Sequence, residues 1–404
     1  MKNLQEKLTL AFHQAQRDQL GEIPNAREHS LKQRRTSKAL EAEFSKALAR
    51  VQTSDPDFTA LLNGGVAPLE DIRATLPAGT QILEFYQTRG MFYACLIGAR
   101  TLRIEPLAPA RRVRTIFRLL QFQLSKFRLG SDYVRRFATA LQAATHEHAR
   151  SLYQCLIAPI RRWLDAERLI IVPHGFLHFV PFQALTDGRQ FLIDQFPLSY
   201  APSASVFSLC ARRPSVGRRK SLVLGIPDPL APEILEEARA VASILPKARL
   251  FVGDEATNAN LRRHAPLCRT VHIATHGSFR HDNPLFSSIR LGDSELRLSD
   301  LYQLRLSADL VTLSGCGTGL NAVTGGDELI GLARGLLFAG SRAALVTLWD
   351  VNDRSTAMFM KSFYSALSTL DNKAVAVQRA MRHVREQYPH PYYWAPFVLV
   401  GSPD

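Results

Sequence analysis

Two residues in this chain have the types and settings that acyl transfer through a covalent intermediate requires. His276 follows the apolar run 271–275 and precedes Gly277, while Cys316 follows the run 308–314 inside Gly315-Cys316-Gly317. A thiol becomes a nucleophilic thiolate near neutral pH when an imidazole stands beside it as base or counter-charge. The flanking glycines leave backbone uncovered, so the amides of Gly277 and Cys316 can face a developing oxyanion. Each residue also has an ordinary explanation: a strand-end histidine held by hydrogen bonds, and a cysteine packed as a small hydrophobe.

Forty residues separate the two (316 − 276), so the fold must bring them together. The pattern around them supplies a way. From residue 221 onward, short apolar runs alternate with helix-periodic segments: strands at 221–226, 250–253, 270–275, 308–313, 343–348 and 397–400, helices at 232–245, 256–265, 328–339, 354–370 and 373–386, with a helical turn at 298–304. Glu236, Glu237 and Arg239 are expected on the outward face of the first of these helices. Unbroken apolar strands alternating with helices predict a mostly parallel α/β sheet covered on both faces. Sites in such sheets form beyond the carboxyl ends of the strands, where both His276 and Cys316 fall.

The first half of the chain reads differently. Residues 1–65 carry helical stripes such as Leu40, Phe44, Ala47, Leu48 and Val51. Residues 81–86 and 91–97 read as two strands joined by a turn at Thr88-Arg89-Gly90, with 101–104 as a third. A helical stretch follows from 109 to 164, split near Gly130, where Ser131 or Asp132 can cap a new helix. Residues 168–173 form another fully apolar strand leading to His174 and His178. Those two histidines lack a nearby third ligand and a helix to share, so no metal is expected.

Composition narrows the setting. The 404 residues carry a formal charge of +14, with basic clusters between Arg100 and Arg136 and at Arg218-Arg219-Lys220. That charge permits a nucleic-acid or acidic partner, but no aromatic-interleaved platform or zinc-finger spacing accompanies it, so nucleic acid is not predicted. The five cysteines form no Cys-x-x-Cys pair, which excludes a zinc ribbon and a disulfide framework. No leader-like apolar segment and no run of eighteen apolar residues is present, so a cytoplasmic protein without membrane spans is expected. Gly315–Gly319 lacks the following Gly-Lys-Ser/Thr of a phosphate loop, and no helix begins directly after it.

At this point the residues carry a resemblance. Ala274-Thr275-His276-Gly277 and the run from Asp309 to Gly319 resemble the two catalytic blocks of CHAT-domain peptidases, a caspase-like family often joined to TPR repeats and related to separase. Ile171-Val172-Pro173-His174-Gly175, Ser199-Tyr200-Ala201-Pro202-Ser203, Asp282-Asn283-Pro284-Leu285-Phe286, Gly326-Asp327-Glu328, Leu348-Trp349-Asp350-Val351-Asn352-Asp353 and Tyr392-Tyr393-Trp394-Ala395-Pro396-Phe397 look like further family blocks. The resemblance implies His276 as general base, Cys316 as nucleophile, and the amides of Gly277 and Cys316 as oxyanion hole. It departs from the family's usual Ser-Ala-Cys-Glu-Thr-Gly at Gly315 and Gly317.

Residues 348–353 are similar to the separase segment lining the primary specificity pocket. An acid there can pair with a substrate arginine through a bidentate contact. Cleavage after Arg, then Lys, is therefore expected, with Asp350 as main partner, Asp353 second and Trp349 beside them; the competing role for both acids is capping the helix that follows. The resemblance implies a caspase-like, mostly parallel sheet flanked by helices, in three regions: a helical segment 1–70, a small α+β pseudo-peptidase-like half 71–215, and a catalytic half 216–404. It implies a protein substrate, no cofactor, and regulation by a protein partner through the N-terminal helices. The alternative is a catalytically silent caspase-like interaction module.

Overall fold

The computed structural model describes residues 66–215, 220–228, 231–278, 287–314, 327–349, 352–370 and 372–404. Within it, Val66–Asp404 forms one compact unit. The helical stripes expected in 1–65 lie outside the described residues, as do Cys316, Gly317 and Asp350.

Fourteen strands are described: β1 (Thr80–Thr88), β2 (Met91–Ile97), β3 (Leu102–Pro109), β4 (Arg168–Val172), β5 (Leu198–Tyr200), β6 (Ser221–Gly225), β7 (Ala248–Val252), β8 (Thr270–Ala274), β9 (Gly277–Ser278), β10 (Ser288–Arg290), β11 (Glu295–Arg297), β12 (Leu310–Ser314), β13 (Ala343–Thr347) and β14 (Phe397–Gly401). The described helices of seven residues or more are α1 (Leu69–Thr75), α2 (Ala110–Ser125), α3 (Ala138–Leu156), α4 (Ala204–Arg212), α5 (Ile234–Ile244), α6 (Asn258–His264), α7 (Asp327–Phe338), α8 (Asp353–Leu367) and α9 (Lys373–Gln387).

Eleven strands make one sheet in the order β3-β2-β1-β4-β5-β14-β13-β12-β8-β6-β7, and β11-β10-β9 make a small second one. The ladders β12–β13, β12–β8, β6–β8 and β6–β7 are all parallel. β14 runs antiparallel to β13 and meets β5 through the single pair Val400–Tyr200. Every residue of β6, β8, β12, β13 and β14 is buried. That is why these strands read as continuous apolar runs: a strand covered on both faces has no solvent side on which to place polar residues.

The first hairpin turns where it was expected. Arg89 and Gly90 take φ of 48° and 76°, the two positive values a type I′ turn needs to match the twist of its strands. The helical stretch does split at Gly130, but glycine itself, at φ 94°, holds the N-cap position and no side chain caps the new helix. Ser131 is already helical there, so the cap expected from Ser131 or Asp132 is not used. β5 and the small β9–β11 sheet were not foreseen, because strands of two or three residues carry too few positions to show a period.

The sheet is continuous across the expected division at 215/216. Three hydrogen bonds also cross it: Arg213 donates to the carbonyls of Leu337 and Ser341, and Ser215 Oγ donates to Asp309 Oδ2 at 2.7 Å.

Candidate active site

Strand register sets where the chain stands just before each candidate residue. β8 and β12 pair in parallel with Ala274 opposite Ser314, so the two chains leave the sheet side by side. The pairing continues one step further, where the Thr275 amide donates to the Ser314 carbonyl at 3.0 Å. His276 lies two residues beyond Ala274, and the Gly315-Cys316-Gly317 segment begins directly beyond Ser314. Adjacent strands stand about 4.8 Å apart, so Ala274 and Ser314 end two neighbouring interior strands at the same edge of the sheet.

The backbone around His276 is tied down on both sides. Thr275 Oγ1 donates to the Arg290 carbonyl at 2.7 Å, and the Arg290 amide donates to the His276 carbonyl at 3.0 Å. Gly277 then pairs with Ile289 in the small sheet. His276 itself is half-buried, and its Nδ1 is buried with no hydrogen-bond partner among the described residues.

The third strand end supplies Trp349 and Asp353. Trp349 is 2% exposed, and its indole donates to the Tyr392 carbonyl at 3.0 Å. The helix α8 is capped by Asn352, whose side chain accepts from the Ser355 amide at 3.2 Å. Asp353 is the first residue inside that helix, so its carboxylate is not the cap. Burial raises the Asp353 carboxyl above the ordinary carboxylate range; the neighbouring His276 pulls it back down, and Glu237, Glu233 and Asp228 push it up. His276 therefore lies close enough to Asp353 for its charge to act on that carboxyl.

Beneath the two strand ends lies a polar chain that the sequence reading missed. Glu237, expected to face outward from α5, is 4% exposed. Its carboxylate approaches His272 Nε2 to 3.1 Å, and His272 is wholly buried in the middle of β8. His272 Nδ1 lies 3.2 Å from the Tyr364 hydroxyl, which donates to Thr312 Oγ1 at 2.8 Å. The outward assignment fails because Glu237 shares the inward face with Ile234, Ala238 and Val241 and is drawn in by the imidazole. A signal existed: a histidine inside a fully apolar strand must find a polar partner, and the facing helix is where to look for it.

His174 and His178 do not join this site in any described contact. His174 packs edge-on against Tyr86 at 5.1 Å. Desolvation, then the charges of Arg334 and His174, push His178 down to about 3. Among the described residues, no three His, Cys, Asp or Glu side chains gather as a metal site, and no helix is long and apolar enough to cross a membrane.

This architecture, a large mostly parallel sheet flanked by helices, is the caspase-like α/β class. The model of the CHAT domain matches residues 146–402, and the chain belongs to that family. A solved structure of Saccharomyces cerevisiae separase, in a separase–securin complex, matches with TM-score 0.62 at 11% identity over 95% of this chain and 34% of that one. The Arg-specific cysteine proteinase gingipain R matches with TM-score 0.43 at 12% identity over 67% of this chain and 69% of that one. The chain thus spans about a third of the length of the separase chain it resembles. No curated protein matches it.

Proposed function

We propose that this protein is a cysteine endopeptidase of the CHAT family that cleaves a partner protein after arginine, with lysine second. The observation that supports the reading is the register of β8 against β12, in which Ala274, two residues before His276, lies opposite Ser314, two residues before Cys316. In the proposed reaction His276 takes the Cys316 proton, and the thiolate attacks the scissile carbonyl to form a tetrahedral oxyanion facing the amides of Gly277 and Cys316. The carbon–nitrogen bond breaks as the imidazolium protonates the leaving amine. Water then attacks the thioester with His276 as base, releasing the acid and restoring the thiol. One lost oxyanion donor of this kind costs about 3 kcal/mol in the transition state.

Asp350 is proposed as the main partner of the substrate guanidinium and Asp353 as the second. The closeness of Asp353 to His276 supports the second assignment. A substrate arginine beside Asp353 compensates a carboxylate that burial and its acidic neighbours leave strained. Regulation by a protein partner is proposed by analogy with the separase–securin complex.

The test is cleavage of a fluorogenic Arg-terminated peptide and of a proteome digest by wild type and by Cys316→Ala. Cleavage by the wild type alone supports the peptidase. Identical background from both proteins overturns it in favour of a silent binding module. For the pocket, Asp350→Ala should lose Arg cleavage while Cys316 remains open to alkylation; loss of both together would remove the specificity claim.

A further inference from the structure

The main sheet ends in β3, whose outer edge pairs with no strand among the described residues. The pairing of β3 with β2 shows which backbone groups are left over. Gly98 donates to the carbonyl of Thr101, the residue opposite it, at 3.0 Å. Bonded pairs alternate along an antiparallel ladder, so Arg103 and Glu105 spend their backbone groups on β2, opposite Leu96 and Ala94. Leu102, Ile104 and Pro106 turn theirs outward. Proline has no N–H, so the open edge offers the amides of Leu102 and Ile104 and the carbonyls of all three. Leu102 and Ile104 are also 52% and 66% exposed, and large apolar side chains on an unpaired edge are a template for another strand.

The charges of β3 decide which strand fits. Two antiparallel copies of β3 paired about a two-fold axis must set outward residues against outward residues, which leaves three registers centred within 103–105. An axis at Arg103 sets that residue against its own copy, and an axis at Glu105 does the same for the acid. Like charges directly opposite one another are unfavourable. An axis at Ile104 instead sets Arg103 opposite the partner's Glu105, and Glu105 opposite the partner's Arg103. Ile104 then exchanges two backbone hydrogen bonds with the partner's Ile104, and each Leu102 amide donates to the Pro106 carbonyl across the axis. The missing N–H of Pro106 leaves only the Leu102 carbonyls to water. Both charged side chains are already held on one face of the strand: Arg103 reaches its own Glu105 at 3.3 Å and lies 3.5 Å from the centre of the Trp163 ring.

We propose that β3 is a self-association edge, through which two copies of this chain pair antiparallel over residues 102–106 and join their main sheets into one. Charge complementarity selects this occupant, because the order Arg-Ile-Glu matches its own reverse. Five residues a side make a small interface, so the dimer is weak, with Kd on the order of 10–100 µM. β3 stands first in the strand order and β12 eighth, about 30 Å away, so the edge is separate from the candidate catalytic residues.

Sedimentation of the full chain between about 5 and 200 µM tests the pairing independently of the peptidase reading. Wild type should pass from monomer to dimer across that range. Arg103→Glu and Glu105→Arg should each weaken dimerisation by roughly tenfold or more, because each sets like charges opposite one another twice. A one-to-one mixture of the two variants should dimerise again, since every arginine then faces a glutamate across the axis. The chain carrying both reversals should likewise recover the dimer. Monomer at every concentration, dimers unaffected by either reversal, or a mixture that stays monomeric would overturn the proposal.

Discussion

Asp353 shows how much one side chain's surroundings decide. Its carboxyl is raised by burial, so the folded state holds that proton more tightly than the unfolded chain does. Between the unfolded and folded values the folded state binds more protons, and its stability falls as pH rises. Asp353→Asn should therefore melt higher than wild type at neutral pH, and the advantage should vanish on acidification below about pH 4. Thermal melts at the two pH values check it, and an equal difference at both would remove burial as the cause. In the proposed peptidase the same substitution should reduce the preference for Arg over a neutral residue without abolishing Cys316 alkylation. His276 and Gly277 were candidates from residue type and position alone, because a glycine after an apolar run is visible in any sequence. The burial of Trp349 was not, because a tryptophan at a strand end can face either way until its neighbours are known.

Elements carry the next set of consequences. The β1–β2 hairpin depends on two positive φ values, and nothing lies within 4 Å of a Cβ built on Gly90. Gly90→Ala should cost about 1 kcal/mol through backbone strain alone, read as a lower urea midpoint. Arg89→Gly should be neutral or stabilising. The packing of α5 on β6 is tighter: a Cβ on Gly225 would come within 2.7 Å of Ala238 Cβ. This is why glycine ends that strand. Between α5 and β8, the contact of Glu237 with His272 is wholly buried. Removing either partner alone leaves a buried polar group uncompensated, so Glu237→Leu or His272→Leu should each cost about 3 kcal/mol. The double variant should recover part of that loss, with a coupling of about 1 kcal/mol or more in a double-mutant cycle. Additive losses would show that the two side chains do not act together.

At the scale of the whole molecule, distant segments are tied through buried polar groups that titrate. His390 stands in the last quarter of the chain, yet its Nε2 meets Thr145 Oγ1 of α3 at 3.0 Å while its Nδ1 accepts from the Tyr392 amide. Burial pushes its imidazole down to about 4 from an ordinary 6.5, with His146 lowering it further and the Leu141 backbone opposing. The folded state then binds fewer protons than the unfolded chain across that window. Stability contributed here is present above about 6.5 and is lost as pH falls toward 4. Urea midpoints of wild type should drop on acidification across that window, and those of His390→Asn should drop less. Parallel curves would show that another group controls acid unfolding.

The alternation of apolar runs and helical periods from residue 221 onward was enough to establish an α/β sheet, its strand ends and the two candidate residues. Those features are local: burial on both faces removes polar residues from a strand, and a strand's end is marked by glycine. Only the tertiary structure decided which strands are neighbours. It brought β8 beside β12 in matching register, put β14 antiparallel to β13, and turned Glu237 inward to His272. It also gathered Lys373, Arg269 and Asp309 at the far edge, from segments up to 104 residues apart (373 − 269). Pairing and charge compensation between such segments depend on distances in space, which no period along the chain encodes.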